Sequence, residues 1–139
     1  MRRRIGIPGA IIGLALLLAA CGGGESGPEQ IAFTVNMTEY AFNPAVYNLP
    51  AGAEVTVTVV NDGVVTHNFF IMQPGHEPAL PFNEEAEADF ILTGAEVEPG
   101  ESGTFTFTAP AEVSTLAVVC GIAGHIESGM HAEMNIQDE

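Results

Sequence analysis

The stretch "VVCGIAGHIESGM" (118–130) places Cys120, His125 and Met130 with four residues between each neighbouring pair. Upstream, "VVTHNFFIM" (64–72) carries His67 beside Asn68. Two imidazoles and one thiolate in a plane, with a weak thioether on the axis, form the donor set of a blue-copper electron-transfer site. Thiolate and thioether are soft donors that suit Cu(I), and imidazole suits both copper oxidation states. A pocket shaped for both states rearranges little when an electron moves, which allows fast transfer. Zinc prefers a closed N/S/O shell in which methionine is a poor ligand. Singly, each residue has a plainer reading. His67 could be a satisfied strand histidine, Met130 a gap-filler in the core and Cys120 an inert buried thiol. Their conjunction at these spacings favours one copper ion, cycling between Cu(I) and Cu(II).

For His67 to meet the 120–130 loop, the chain must fold as strands that lie side by side. "IAFTVNM" (31–37) alternates apolar and polar residues. "AEVTVTVVN" (53–61) does the same, with Val55, Val57 and Val59 on one face. "NPAVYNLPAG" (43–52) carries prolines that confine it to an edge or a turn. "DG" at 62–63 signals a tight turn before a strand over 64–72. "FILTG" (90–94), "TFTFTAP" (104–110), "VSTLAVVC" (113–120) and "HAEMNI" (131–136) read as further strands. Residues 73–89, with three prolines and five acids, read as a long loop or a ragged short helix. The expected fold is all-β: an antiparallel Greek-key β-sandwich of about seven or eight strands, without internal repeats. On the last strand Met134 shares parity with Ala132 and Ile136 and belongs to the core, while His131 and Glu133 point to solvent. Met37 and Met72 are expected in the core or at its rim, and His76 on an exposed loop.

The amino terminus carries a different signal. Arg2, Arg3 and Arg4 precede an apolar run, Ile11 to Leu18, and then Ala19, Ala20 and Cys21. This is the pattern of a secretory signal peptide, and the run is too short for a membrane span. "LAAC" (18–21) resembles a bacterial lipobox, which implies cleavage before Cys21 and acylation of its thiol. The expected organisation is a signal peptide with lipobox (1–20), a flexible Gly/Pro/polar tether (21–30) and one domain (31–139). Acylation of Cys21 would leave Cys120 as the lone thiol in an oxidising compartment. A Cys21–Cys120 disulfide is the competing reading. All three arginines lie before position 20, no lysine occurs, and all 18 acidic residues lie beyond it. Such a chain is repelled by nucleic acid and by anionic lipid headgroups, so the acyl anchor alone would hold it at a membrane. The acidity serves either solubility and salt adaptation or docking to a basic partner.

On these residues the sequence resembles the cupredoxins, the small blue-copper proteins that include plastocyanin, azurin and auracyanin. "EYAFNPAVYNLPAGAEVTVTVVNDGVVTHNFFI" (39–71) is similar to their amino-terminal half and "CGIAGHIESGM" (120–130) to their ligand loop. The resemblance covers about residues 31–137. It implies His67, Cys120 and His125 as equatorial ligands and Met130 as the axial one. The gaps around His125 match the auracyanin and rusticyanin type. Many relatives carry Ser or Thr after the cysteine, bonded to the Asn side chain beside the first histidine. Gly121 stands there instead, which puts that bond in doubt, although the Asn68 backbone N–H remains within reach of the sulfur.

The resemblance further implies a monomeric one-electron carrier, lipid-anchored outside the cytoplasmic membrane, with electrons crossing the edge of His125. Ile122, Ala123, Gly124 and Ile126 would form an apolar collar for brief contact with redox partners, such as a cytochrome or terminal oxidase with a basic docking face. A copper storage or delivery protein is the alternative. An enzyme is not expected, because multicopper chemistry needs additional histidines and only His76 and His131 remain.

Overall fold

A computed structural model describes residues 27–138 of the chain. The proposed signal peptide, Cys21 and the first part of the tether lie outside them.

Alternation decides the strands. In β4 (Glu54–Asn61) Val55, Val57 and Val59 are buried while Thr56 and Thr58 stand between them. The β-branched residues suit a pleated surface whose successive side chains point to opposite faces. β1 (Gln30–Thr38) contributes Val35 and Met37 to the same interior. β2 (Ala41–Asn43), β1, β4 and β7 (Ser102–Thr108) form one sheet, in the order β2-β1-β4-β7. The second sheet has the order β3-β9-β8-β5-β6, from β3 (Val46–Pro50), β9 (His131–Gln137), β8 (Ser114–Val119), β5 (His67–Met72) and β6 (Ile91–Val97). The two sheets make the expected β-sandwich, with nine strands among the described residues rather than seven or eight.

Two pairings, β1 with β4 and β3 with β9, are parallel, where sequence reasoning expected an antiparallel arrangement throughout. The topology explains the first. After β1 and β2 the chain crosses to the second sheet as β3 and returns as β4, and such a crossover can bring back a strand in its original direction. β3, with its prolines, occupies an edge as anticipated.

Phe69 sits at the centre of the core, with Phe42 and Tyr47 packed edge-on at 5.1 and 5.9 Å between ring centroids. Met134, Ala132 and Ile136 are buried and His131 and Glu133 exposed, as the parity of β9 requires. Met37 and Met72 are fully buried.

The long segment between β5 and β6 carries one short helix, α1 (Glu84–Glu87), and a 3₁₀ turn over Ala88–Phe90. Asn83 caps α1 by accepting from the Ala86 N–H (3.0 Å). His76 is not an exposed loop histidine. Its ring stacks on Phe90 (4.0 Å, 2° between planes) and bonds the buried Glu87 carboxylate, which also accepts from the Ala79 N–H (3.1 Å). These contacts fasten the segment as it passes toward the end of the sandwich that carries the candidate ligands. There Phe82 packs in a small second core with Met72, Val119 and Ile126.

Candidate metal centre

Antiparallel neighbours bring the start of one strand beside the end of the next. β5 begins at His67 and pairs antiparallel with β8, with Phe70 opposite Val119. Cys120 directly follows β8, so its side chain comes to the His67 end. β8 pairs in turn with β9, Val119 opposite His131, which leaves residues 120–130 as the loop closing that end of the sheet.

Turns build the loop. The His125 N–H donates to Ile122 O (2.9 Å), the Ser128 N–H to His125 O (3.1 Å) and the Gly129 N–H to Ile126 O (2.9 Å). Gly124 and Gly129 take φ of +82° and +99°, a region that favours glycine. Met130 is pinned on both sides: its N–H donates to His125 O (3.0 Å) and its carbonyl accepts from the Cys120 N–H (3.2 Å).

The result is a closed cluster. Nδ1 of His67 lies 3.9 Å from Cys120 Sγ, and Nδ1 of His125 lies 3.4 Å from it. One donor atom each from His67, Cys120 and His125 falls within 4.8 Å of the others. His67, Cys120 and Met130 are inaccessible to solvent, and His125 keeps 8 % of its surface. Burial pushes the Cys120 thiol up from its ordinary value, opposed by hydrogen bonds from the backbone N–H groups of Asn68 and Ile122. Burial likewise holds the His67 imidazole below its usual value, and nearby His125 adds to that. The site therefore offers a neutral imidazole whose Nδ1 faces a sulfur, with Met130 buried at the end of the same loop. Two nitrogens and a thiolate, closed from water and free of cationic side chains, suit a metal of borderline softness, copper above all.

Gly121 keeps the bond that its lack of a hydroxyl put in question, by another atom. The Gly121 backbone N–H donates to Asn68 Oδ1, so Asn68 still ties the strand of the first histidine to the ligand loop. A side chain at 121 has no room: a Cβ there would lie 2.6 Å from the Phe82 ring.

The collar differs from expectation. Ala123 and Gly124 are exposed and Ile122 half-buried, but Ile126 points inward against Met72, Phe82 and Val119. The exposed apolar groups at this end come from elsewhere. Tyr40 is half exposed and sets its ring edge-on to His125 (5.4 Å) from a backbone with φ of +63°, uncommon for a non-glycine residue. Val64 and Val65, 80 % and 41 % exposed, lie in the adjoining loop, joined to the Tyr40 turn by a bond from the Val64 N–H to Glu39 Oε1 (2.7 Å). Sequence reasoning missed Glu39, Tyr40, Val64, Val65 and Phe82. Only the adjacent exposed valines after "DG" offered a signal.

No family profile matches the chain. Auracyanin-A of Chloroflexus aurantiacus is 26 % identical over 88 % of this chain and 90 % of its own length. Among solved structures, the dithionite-reduced auracyanin of Roseiflexus castenholzii superposes with a TM-score of 0.67 at 27 % identity, covering 80 % of this chain and 99 % of that one. Sequence and fold alike set the chain beside the auracyanins. Auracyanin B superposes on this chain with a TM-score of 0.65 at 28 % identity, over 81 % of its length and 91 % of the other chain.

Proposed function

We propose that this chain is a cupredoxin, a type 1 copper protein that carries single electrons between redox partners outside the cytoplasmic membrane. The observation that carries the proposal is the buried convergence of His67 Nδ1, His125 Nδ1 and Cys120 Sγ. Its relatives support it, among them a solved structure described as a blue copper protein, auracyanin A. His67, Cys120 and His125 would hold the metal, with Met130 as a fourth, weaker donor. Copper bound there supplies a one-electron couple between Cu(I) and Cu(II).

The chain's own residues do the rest. The turn bonds of the 122–130 loop tie the donors to a fixed backbone, so little has to move when the charge changes. Phe82 over Gly121 and the buried neighbours of Cys120 keep water from the sulfur. His125 presents the partly open edge, and Tyr40, Val64, Val65, Ala123 and Gly124 surround it with the apolar surface that a short-lived encounter uses. With a formal net charge of −15, the chain favours a partner with a basic docking face, such as a cytochrome or oxidase domain. Export and an acyl anchor on Cys21 rest on the sequence of residues 2–21.

Copper storage or delivery is the reading against which the carrier must be tested. Copper-loaded full chain should lose its colour on dithionite and regain it on ferricyanide, cycle after cycle, while keeping its metal beside an apo-acceptor. Ready loss of copper to the acceptor without reversible electron exchange would refute the carrier.

A further inference from the structure

His67 is fully buried, yet its outer ring nitrogen, Nε2, has no hydrogen-bond partner. Buried polar atoms seldom stay unpaired, so each such atom calls for an account. Nε2 points away from Cys120 toward Glu39, whose Oε1 lies 3.6 Å away. That oxygen is already aimed, because it accepts from the Val64 N–H (2.7 Å). Space for the approach exists because residue 63 is glycine. A Cβ there would lie 2.5 Å from Glu39 Oε1 and 2.9 Å from His67 Nε2, wedged between them. Asn61 holds the same turn, accepting from the Gly63 N–H (2.9 Å) and donating to the Val65 and Val97 carbonyls (2.8 Å each). Glu39 keeps 38 % of its side-chain surface, so a small rotation can close the gap.

Resting on the copper reading above, we infer that Glu39 is a positioning residue that accepts the Nε2–H of His67 and sets the relative hold of the site on Cu(II) and Cu(I). The tautomer follows: a proton kept on Nε2 leaves the Nδ1 lone pair bare toward Cys120 Sγ. Electron density follows as well. A carboxylate behind a ligating imidazole raises its basicity, and it adds a negative charge on the outer, solvent-facing side of His67. Both effects favour the more highly charged Cu(II) over Cu(I), and so lower the reduction potential. Near a surface of low dielectric such a charge acts more strongly than it would in water. Gly63 is the enabling residue, since any side chain there parts the pair.

The test uses the full chain with two variants. Glu39→Gln keeps an oxygen for the Val64 N–H and removes only the charge; Glu39→Leu removes the acceptor too. Copper-free protein is read by nitrogen NMR of the His67 ring, and copper-loaded protein by its reduction potential and its affinity for each oxidation state. The expected result is a single Nε2–H tautomer in the natural chain and a mixed or reversed one in Glu39→Leu. Both variants should remain blue, bind Cu(II) about ten- to hundredfold more weakly with a smaller change for Cu(I), and show a raised potential. Blue variants with unchanged tautomer and unchanged potential overturn the inference while leaving the copper reading intact. Failure of the natural chain to bind copper overturns that reading instead, and the copper-free NMR still decides the role of Glu39.

Discussion

Cys120 Sγ and His67 Nδ1 stand 3.9 Å apart although 53 positions separate them in the chain. The antiparallel contact of β5 with β8 produces that meeting, and the Gly121–Asn68 bond locks the two strand ends together. The cluster is thus a product of the strand pairing of the sandwich.

Met130, the proposed fourth donor, should tune the centre without creating it. Met130 is fully buried and held by backbone bonds to His125 and Cys120. Met130→Leu conserves volume, so folding should change by less than about 1.5 kcal/mol. The protein should stay coloured with a raised potential, as measured by redox titration.

Copper loading should release a proton. The Cys120 thiol is raised by burial and is protonated at neutral pH, whereas His67 is lowered and already neutral. Isothermal titration at pH 7 in buffers of different ionisation enthalpy should detect the thiol proton. The apparent affinity should weaken about tenfold per pH unit on acidification, as a one-proton exchange requires. His67 also makes the copper-free fold pH-sensitive. With its folded value below the ordinary 6.5, protonation favours the unfolded chain, so stability should fall as pH drops beneath 6.5. Bound copper should suppress that loss.

Acid should also loosen the 73–90 segment. His76 and the Ala79 N–H hold the Glu87 carboxyl below its ordinary value of 4.5, with the His76 bond the larger cause. A depressed carboxylate stabilises the fold fully above the ordinary value, and the gain is lost as pH falls through the lowered one. Glu87→Gln should remove that part of the acid dependence, seen as earlier hydrogen exchange of the Ala79 and Gln73 amides at neutral pH.

Tyr40 should govern partner contact more than colour. Its ring meets His125 edge-on from an exposed position. Tyr40→Ala should keep the optical spectrum while slowing second-order electron exchange with a basic cytochrome several-fold. Because the attraction is electrostatic, the rate of the natural chain should also fall as salt rises.

The core was the most legible part of the sequence. Val55, Val57 and Val59 and the Ala132, Met134, Ile136 series show a period of two, and that parity survives folding. Cys120, His125 and Met130 were legible because a single loop fixes their spacing. The parallel pairings were not, since register between distant strands leaves no local mark. Ile126 was misplaced for a related reason. Residues 122–129 are successive turns, and without a period nothing in the sequence separates inward from outward. His76 depends on Glu87, eleven positions on in the same aperiodic connection, whereas Glu39 and Tyr40 depend on segments far apart in the chain, those of His67 and His125 respectively. Their roles appear only once the sheets have brought those segments together.

X-ray absorption at the copper edge of the oxidised full chain tests the donor set most directly. The expected spectrum has one short copper–sulfur scatterer and two imidazole nitrogens, with the sulfur lost in Cys120→Ser and one nitrogen in His67→Ala. A copper ion surrounded only by nitrogen and oxygen, unaltered by either substitution, would contradict the assignment.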